Sequence, residues 1–252
     1  MTAHDEATCD AERDMERDME PVPHWRLLNG TTIVMSGATK GPGAQVALAL
    51  AERGANICLL THNPQDAAAL VTRIDAVGGH GYALPCMVDD DNALNAALDK
   101  TQQHFGTGIN ALFTNMGLMP AFHEYPRARM SELSGDQWSA YMNGTARGVF
   151  VSTALAMRRM VKQPHGGVII NTALYGLQAK PDLALYAASR GAIRALVDTV
   201  NAECKADNVP VSAHLLVCEQ DIETCTNVLA AWVVRLCEDE QHHYDGVITI
   251  SA

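Results

Sequence analysis

The feature that most constrains this chain is a regular alternation of short apolar runs with longer helical patterns. Seven such runs occur after residue 30, and they read TTIVMSG, ANICLL, YALPCMV, NALFTN, GVIINTA, VSAHLLV and GVITIS. They are apolar almost throughout, which is typical of parallel strands covered on both faces. Helical patterns such as AQVALALAERG separate them. We therefore expect one α/β domain with a Rossmann fold, a doubly wound seven-stranded parallel sheet with helices on both faces.

The first 23 residues differ from the rest of the chain. They hold eight acidic residues against two arginines, which is −6 of the formal net charge of −11. They contain almost nothing to bury, so we expect a flexible acidic tail over residues 1–23 and a folded domain over 24–252. A partner-binding role for the tail stays open. Because an acidic chain without a basic stripe repels phosphate backbones, we do not expect nucleic acid as a partner.

Hydropathy and the spacing of the cysteines indicate where the protein is located and whether it holds disulfides or a metal. No apolar run approaches about 20 residues and no signal-peptide pattern opens the chain, so we predict a cytoplasmic protein that does not enter the membrane. The seven cysteines are scattered and never spaced C-x-x-C. This spacing indicates neither a disulfide framework nor a structural zinc site, and the histidines show no pattern of metal ligands. We predict no metal.

The first apolar run leads directly into a glycine-rich turn, SGATKGPG, at residues 36–43. Gly37, Gly41 and Gly43 allow the backbone to turn tightly and to approach a ligand. The helix that follows directs its amide groups and its positive dipole end at the same place. The turn therefore predicts a site for a dinucleotide pyrophosphate.

Several further segments follow in a familiar order. LFTNMG contains Asn115 and Gly117, WSAYMNGTARGVFVSTALAMRRM follows, and GGVIINTALYGLQAKPDLALYAASRGAIRAL comes next. With the glycine turn, these segments resemble the short-chain dehydrogenase/reductase family: its N-N-A-G segment, its long central helix, and the strand, loop and helix that carry Y-x-x-x-K. The resemblance covers residues 25–252. It implies a nicotinamide-dependent oxidoreductase that moves a hydride between the cofactor and a small carbonyl or alcohol.

The resemblance also implies which cofactor is preferred. In the family an acid at the end of the second strand favours NAD, but Thr61 stands there and His62 follows. Lys40 occupies a position at which NADP-dependent members often carry a basic residue, and its ammonium can pair with a 2′-phosphate. We expect NADP(H) to be favoured over NAD(H). One feature opposes tight binding, because Met87 replaces the family's usual adenine-contacting Asp. The implied cofactor-binding residues are Gly37, Thr39, Lys40, Gly41, Gly43, Thr61, His62, Val88, Asn115, Gly117, Tyr186 and Arg190.

The catalytic set that the resemblance implies is Asn, Ser, Tyr and Lys, and this chain keeps the Tyr. Tyr186 corresponds to the general acid or base, and Arg190 replaces the Lys one helical turn later. A guanidinium supplies the positive charge that favours the phenolate, although its planar fork does not reproduce the geometry of an ammonium. Thr145 stands at the Asn position, while Asn143 would face another way on a helix.

The Ser position has lost its hydroxyl. Counting back thirteen residues from Tyr186 gives Ala173, and a shift of one residue gives Leu174. The nearest alternatives are the hydroxyl groups of Thr172 and Tyr175. Because one preorganised donor to a developing oxyanion is worth a factor of about 100–1000 in rate, the missing serine puts normal turnover in question.

Two hypotheses about function remain open. One is an NADP(H)-dependent carbonyl reductase or alcohol dehydrogenase in which Tyr186 transfers the proton. The other is a nucleotide-binding pseudoenzyme or partner subunit with an eroded site. The chain also runs almost directly from the sixth strand into the next helix, so we expect a shortened substrate lid. The long helices around 135–162 and 184–206 resemble those through which family members pair, and we expect a homodimer or homotetramer.

Overall fold

A computed structural model describes residues 28–87, 90–115, 128–174, 180–219, 222–239 and 246–250. The predicted acidic tail, residues 1–23, lies outside the described residues. The strands are β1 (Thr32–Ser36), β2 (Asn56–Thr61), β3 (His80–Pro85), β4 (Ala111–Thr114), β5 (Gly167–Leu174), β6 (Val211–Cys218) and β7 (Val247–Ile250). The helices are α1 (Gly41–Ala51), α2 (Pro64–Ala76), α3 (Asp91–Phe105), α4 (Gly135–Met142), α5 (Gly148–Met160), α6 (Ala184–Asp207) and α7 (Ile222–Glu238). A single turn of 3-10 helix covers Met130–Glu132, and a π-helical segment, Asn143–Arg147, joins α4 to α5.

The seven strands form one parallel sheet in the order β3-β2-β1-β4-β5-β6-β7. This confirms the predicted doubly wound Rossmann fold. The order reverses between β1 and β4, and ligands of open α/β sheets bind in the crevice outside the carboxyl ends of the strands at such a point. The glycine turn after β1 and the end of β4 both lie at this point.

The apolar runs become strands because both of their faces are covered. Every residue of β1, β2, β4 and β6 is buried. One core cluster joins a face of the sheet to α1, α2 and α7, and a second cluster joins the opposite face to α3, α5 and α6. Side chains that alternate along a strand therefore enter different clusters, so the face on which a residue of β5 lies decides which helices it meets.

Two connections bear on the site. Three residues, 219–221, separate the end of β6 from the start of α7. At the other end of the site, the π-helical segment interrupts a helical stretch that otherwise runs from α4 into α5. Such segments are frequent at functional sites because they redirect side chains within a helix. None of the helices built from the described residues has the length and apolar character to cross a membrane.

Candidate active site

The glycine turn is packed so tightly that two of its positions accept no side chain. A Cβ atom on Gly43 would lie 2.7 Å from the Cα of Ala38 and 2.8 Å from the carbonyl oxygen of Gly37. Gly37 itself has a φ of +65°, and a Cβ there would lie 2.8 Å from the backbone oxygen of Asn115. These glycines therefore hold the start of α1 close against the ends of β1 and β4, as the dinucleotide-site prediction requires.

The N-terminus of α1 lacks a side-chain cap among the described residues. Lys40 precedes the helix and makes no capping hydrogen bond, and the first turn holds no acidic residue. Helices α2 and α3, in contrast, are capped by the side chains of Asn63 and Asp90. Amide groups at a helix start need an acceptor, and an anion such as a pyrophosphate provides one. The start of α1 thus suits the predicted ligand.

Asn115 connects the glycine turn to the strand that leads to the catalytic positions. Its amide nitrogen Nδ2 donates to the carbonyl oxygen of Gly37 at 2.9 Å, and its Oδ1 accepts from the Thr172 hydroxyl at 2.9 Å. Both Asn115 and Thr172 are buried. The three chain segments β1, β4 and β5 are therefore held in register at the crevice by one buried amide.

This contact engages the Thr172 hydroxyl, which the sequence offered as an alternative to the missing serine. The Thr172 hydroxyl donates to Asn115, and its neighbour Ala173 lies on the opposite face of β5, in the core cluster that includes α6. Because successive side chains of a strand point to opposite faces, Thr172 is not placed to polarise a carbonyl on the face that α6 covers. Its contribution is to position Asn115.

Tyr186 and Arg190 lie one turn apart on α6 and are both buried. The carbon Cζ of the Arg190 guanidinium lies 5.1 Å from the centroid of the Tyr186 ring, within the range of a cation–π contact. Tyr186 is 6% exposed and belongs to a small apolar cluster with Tyr141 and Leu185, which joins the end of α4 to the start of α6. The expected pairing of a tyrosine with a fixed positive charge is therefore present in the fold.

The Arg190 side chain is buried with part of its hydrogen-bonding capacity unused. Its Nη1 donates to the carbonyl oxygen of Thr172 at 3.3 Å, and none of its surface is exposed. Its Nε and Nη2 atoms have no hydrogen-bond partner among the described residues. A buried guanidinium that lacks partners is costly, because its N–H groups have lost their water. Two donors and a positive charge are therefore buried beside the Tyr186 ring.

The positions of the family's Asn and Ser are also buried. Thr145 lies within the π-helical segment, and its hydroxyl donates to the carbonyl oxygen of Tyr141 at 2.7 Å. Asn143 lines a surface groove with Phe150 instead. Ala173 has no exposed surface and carries no hydroxyl. The geometry therefore supplies no serine-like donor from β5 on the Ala173 face.

The adenosine end of the predicted site differs from expectation in one respect. Thr61 supplies no carboxylate, and its hydroxyl is bonded to the backbone of Asn63. However, Lys40 is ion-paired, with 2.8 Å between its Nζ and the Oδ2 of Asp66 in the first turn of α2. A carboxylate therefore does lie beside Lys40, although Thr61 replaces the family's acid. Strand β2 contributes none, but the helix after it does.

The remaining predicted residues lie around this frame or outside it. Thr39 is half-buried in the glycine turn, Gly41 begins α1, and His62 is exposed after β2. Met87, at the position of the adenine-contacting Asp, is 55% exposed. Asp90 caps α3. Val88, Gly117 and Tyr175 lie outside the described residues.

Sequence reasoning missed the Lys40–Asp66 pair although a signal was present. Asn63 and Asp66 are spaced like a helix cap and the acid three residues later, a pattern that marks a helix start. Recognising it would have placed a carboxylate at the end of β2. The Thr172–Asn115 bond had no comparable signal, because its partners are 57 residues apart in sequence.

Comparisons with known proteins agree with this geometry. The family model described as short chain dehydrogenase matches residues 31–224. A 3beta-hydroxysteroid dehydrogenase of Mediterraneibacter gnavus is 26% identical over 182 residues, which are 72% of this chain but only 63% of that protein. The chain thus matches less than two thirds of that relative's length.

Solved structures share the fold at lower identity. The NADH-dependent reductase A1-R′ complexed with NAD has a TM-score of 0.76 at 19% identity, and the match covers 88% of this chain and 95% of that one. A metagenomic short-chain oxidoreductase in complex with NADP has a TM-score of 0.77 at 20% identity, covering 89% and 98%. The family match covers most of the chain and, with this sheet order, establishes that the chain belongs to the short chain dehydrogenase family.

Proposed function

We propose that this protein is an NADP(H)-dependent oxidoreductase that interconverts a small carbonyl compound and its alcohol. The observation that carries the proposal is the buried Arg190 guanidinium, which lies over the Tyr186 ring with two donor nitrogens that lack partners among the described residues. A positive charge beside a tyrosine at the crevice of a doubly wound sheet is the arrangement that a proton-transferring phenol needs.

The residues present fit a nicotinamide dinucleotide. Gly37 and Gly43 leave no room for a side chain, and, among the described residues, the start of α1 has no side-chain cap and two nitrogens of Arg190 have no partner. In this proposal Gly37, Gly41 and Gly43 border the pyrophosphate, Thr39 and Lys40 hold the adenosine end, and Asn115 fixes the turn. When bound, the cofactor supplies or accepts the hydride.

Tyr186 then carries the proton. In the reductive direction its hydroxyl donates to the oxygen of the carbonyl that is being reduced, and in the oxidative direction its phenolate accepts the proton of the alcohol. Arg190 favours the phenolate, because a guanidinium stays charged and lies against the ring. The same Arg190 offers its Nε and Nη2 atoms to acceptor oxygens of the bound cofactor.

Two further residues position this pair. The Thr172 carbonyl oxygen accepts from Arg190, and the Thr172 hydroxyl fixes Asn115. Thr145 shapes the segment before α5, next to the Tyr141 that packs against Tyr186. Each of these contacts limits the movement of the catalytic side chains. A small displacement of such groups lowers the rate of catalysis considerably.

One observation favours a second candidate, a nucleotide-binding protein with little turnover. Ala173 leaves the carbonyl oxygen without the donor that a serine would supply, and the Thr172 hydroxyl is engaged elsewhere. The cost expected from one missing donor is about 100–1000-fold in rate, which slows a reaction without abolishing it. Low kcat at normal cofactor affinity is the signature that we expect.

The test is NADPH oxidation with a panel of aldehydes and ketones by the wild type and by Tyr186→Phe. We expect slow, reproducible turnover that is lost in Tyr186→Phe, with NADPH affinity changed less than about threefold. Tyr141→Phe is the matched control, because it removes a buried hydroxyl from the same apolar cluster. Equal rates in Tyr186→Phe and the wild type would contradict the role of Tyr186. No turnover with normal NADPH binding would favour the second candidate.

We also propose that the protein forms a homo-oligomer through the face of α5 and α6. A groove of about 440 Å³ lies there, between the π-helical segment and the middle of α6, and Phe150 beside it is 53% exposed. A second copy offers the same groove and the same phenylalanine, as a two-fold interface requires. Ala195→Glu places a charge in the groove, and we expect it to convert dimers or tetramers to monomers in light scattering. An unchanged mass would contradict this interface.

A further inference from the structure

The ion pair between Lys40 and Asp66 lies where the loops after β1 and β2 meet. The Lys40 side chain is 71% exposed and the Asp66 side chain 27% exposed, so the carboxylate is the more sheltered of the two. The proposed function places Lys40 at the adenosine end of the cofactor, where its ammonium can pair with a 2′-phosphate. Asp66 therefore holds the cation that distinguishes NADP from NAD.

Local structure fixes the position of this carboxylate. Asn63 caps α2 by accepting from the backbone N–H of Gln65 at 3.2 Å, and its Nδ2 donates to the Oδ2 of Asp66 at 2.7 Å. Lys40 contacts the same oxygen. A carboxylate has about four acceptor positions on its two oxygens, so Asp66 keeps capacity for another donor.

The two cofactors present different groups to this carboxylate. A 2′-phosphate is attracted by Lys40 but repelled by Asp66, and the phosphate must compete with Asp66 for the ammonium. A 2′-hydroxyl is a donor, and a carboxylate accepts from it in a charge-assisted hydrogen bond. Asp66 thus lowers the affinity for one cofactor and raises the affinity for the other.

We propose that Asp66 is a specificity-determining residue for the nicotinamide cofactor. Its carboxylate competes with a 2′-phosphate for Lys40 and accepts a hydrogen bond from a 2′-hydroxyl, so the protein binds both NADPH and NADH, with NADPH less than about tenfold ahead. This inference rests on the proposed function, and it places the acidic determinant in the first turn of α2 instead of at the end of β2.

The experiment is fluorescence titration of NADPH and NADH with the wild type and three variants at about 50 mM salt. Asp66→Asn removes the charge and keeps the shape, and we expect it to raise the ratio of the NADH Kd to the NADPH Kd by at least about fivefold. Lys40→Gln should lower that ratio by a similar factor. Because both groups are partly exposed, we expect the Asp66→Asn effect to shrink at about 300 mM salt.

Asp99→Asn is the matched control. Asp99 is another aspartate that is ion-paired to a basic side chain, that of Arg159, and it lies eight residues beyond the start of α3. Asp99→Asn loses the same formal charge as Asp66→Asn does. The charge that it removes lies about 12 Å along α3 from the start of that helix. We expect its Kd ratio to stay within about twofold of the wild-type value.

The outcomes separate this inference from the function on which it rests. If the wild type binds both cofactors and Asp66→Asn changes the ratio no more than Asp99→Asn does, the specificity role of Asp66 is wrong. A wild-type preference for NADPH beyond about 100-fold overturns it as well. If the wild type binds neither cofactor, the proposed function fails and the inference fails with it. Thermal melts of all variants identify any loss of folding.

Discussion

Replacing Arg190 by methionine tests, in the absence of any ligand, a guanidinium whose Nε and Nη2 atoms have no partner among the described residues. Methionine keeps much of the side-chain length, removes the charge and fills irregular apolar space well. Arg190 is among the largest fully buried side chains of the protein. Removing one partner of a well-paired buried ion normally costs about 3–5 kcal/mol of stability. The structure predicts a different result here.

The magnitude follows from the contacts of the side chain. Nε and Nη2 are buried without partners among the described residues, and relief of each is worth about 1–3 kcal/mol. The losses are the bond from Nη1 to the Thr172 carbonyl oxygen, about 1.5–3 kcal/mol, and the contact with the Tyr186 ring, about 0.5–2 kcal/mol. These contributions nearly cancel. We expect Arg190→Met to change the free energy of unfolding by less than about 1 kcal/mol.

Cofactor binding, in contrast to the free energy of unfolding, should change strongly in Arg190→Met. A ligand at 100 times its Kd stabilises the folded state by about 2.7 kcal/mol, which raises the Tm of a chain of this size by roughly 5–10 °C. We expect that increase with NADPH in the wild type and little increase in Arg190→Met, because the variant has lost the donors that the cofactor requires.

The assay is urea and thermal unfolding of both proteins with and without NADPH. Arg159→Met serves as the control, since Arg159 donates to Gln102, Asn95 and the Leu155 carbonyl oxygen, and its removal should cost about 1–3 kcal/mol. The reasoning is refuted if Arg190→Met loses more than about 3 kcal/mol without ligand, since Nε and Nη2 of Arg190 would then have partners in the free protein. An undiminished NADPH shift in the variant would refute the role of Arg190 in binding.

Three further changes have defined outcomes. Ala173→Ser returns a hydroxyl to the face of β5 that α6 covers, and we expect kcat for carbonyl reduction to rise about 10-fold or more. An unchanged or lower kcat would contradict the proposed position of the carbonyl substrate. Thr172→Val leaves the buried Oδ1 of Asn115 without its donor, so we expect a loss of about 1–3 kcal/mol in urea unfolding that Thr172→Ser does not show. Burial raises the pKa of the Cys58 thiol from 9.0 to about 11, so folding favours the protonated form; its contribution to stability is present below about pH 9 and is lost as pH rises towards 11. Unfolding measured from pH 8 to 11 should show this decline, and Cys58→Ala should flatten part of it.

The fold was predictable because its signals are local. Each apolar run of β1 to β7 is visible in a few residues, and the glycine turn at 36–43 marks its own place at the end of β1. The strand order then follows from topology rules for sheets of this kind. The positions of Tyr186 and Arg190 on one helix face also follow from their spacing of four residues.

The site was less predictable because its contacts join distant segments. The pairing of Lys40 with Asp66 requires knowing that α2 begins at Pro64 and directs its first turn at the glycine turn. The Thr172 hydroxyl could have faced either side until the register of β5 against β4 was known. The burial of Arg190, with two nitrogens that lack partners among the described residues, is likewise a property of the packed helix and not of its sequence. Sequence therefore predicts which residues reach the crevice, and tertiary packing decides what their polar atoms contact.

The most direct test of the central claim follows the hydrogen itself. NADPH with deuterium at both positions of nicotinamide C4 is incubated with the wild type and a panel of carbonyl compounds, and the alcohols are analysed by mass spectrometry. The account predicts one deuterium on the carbinol carbon of at least one product, with the yield lost in Tyr186→Phe and retained in Tyr141→Phe. Alcohol products without deuterium, or no product from any carbonyl despite bound NADPH, would contradict the claim that this site performs hydride transfer.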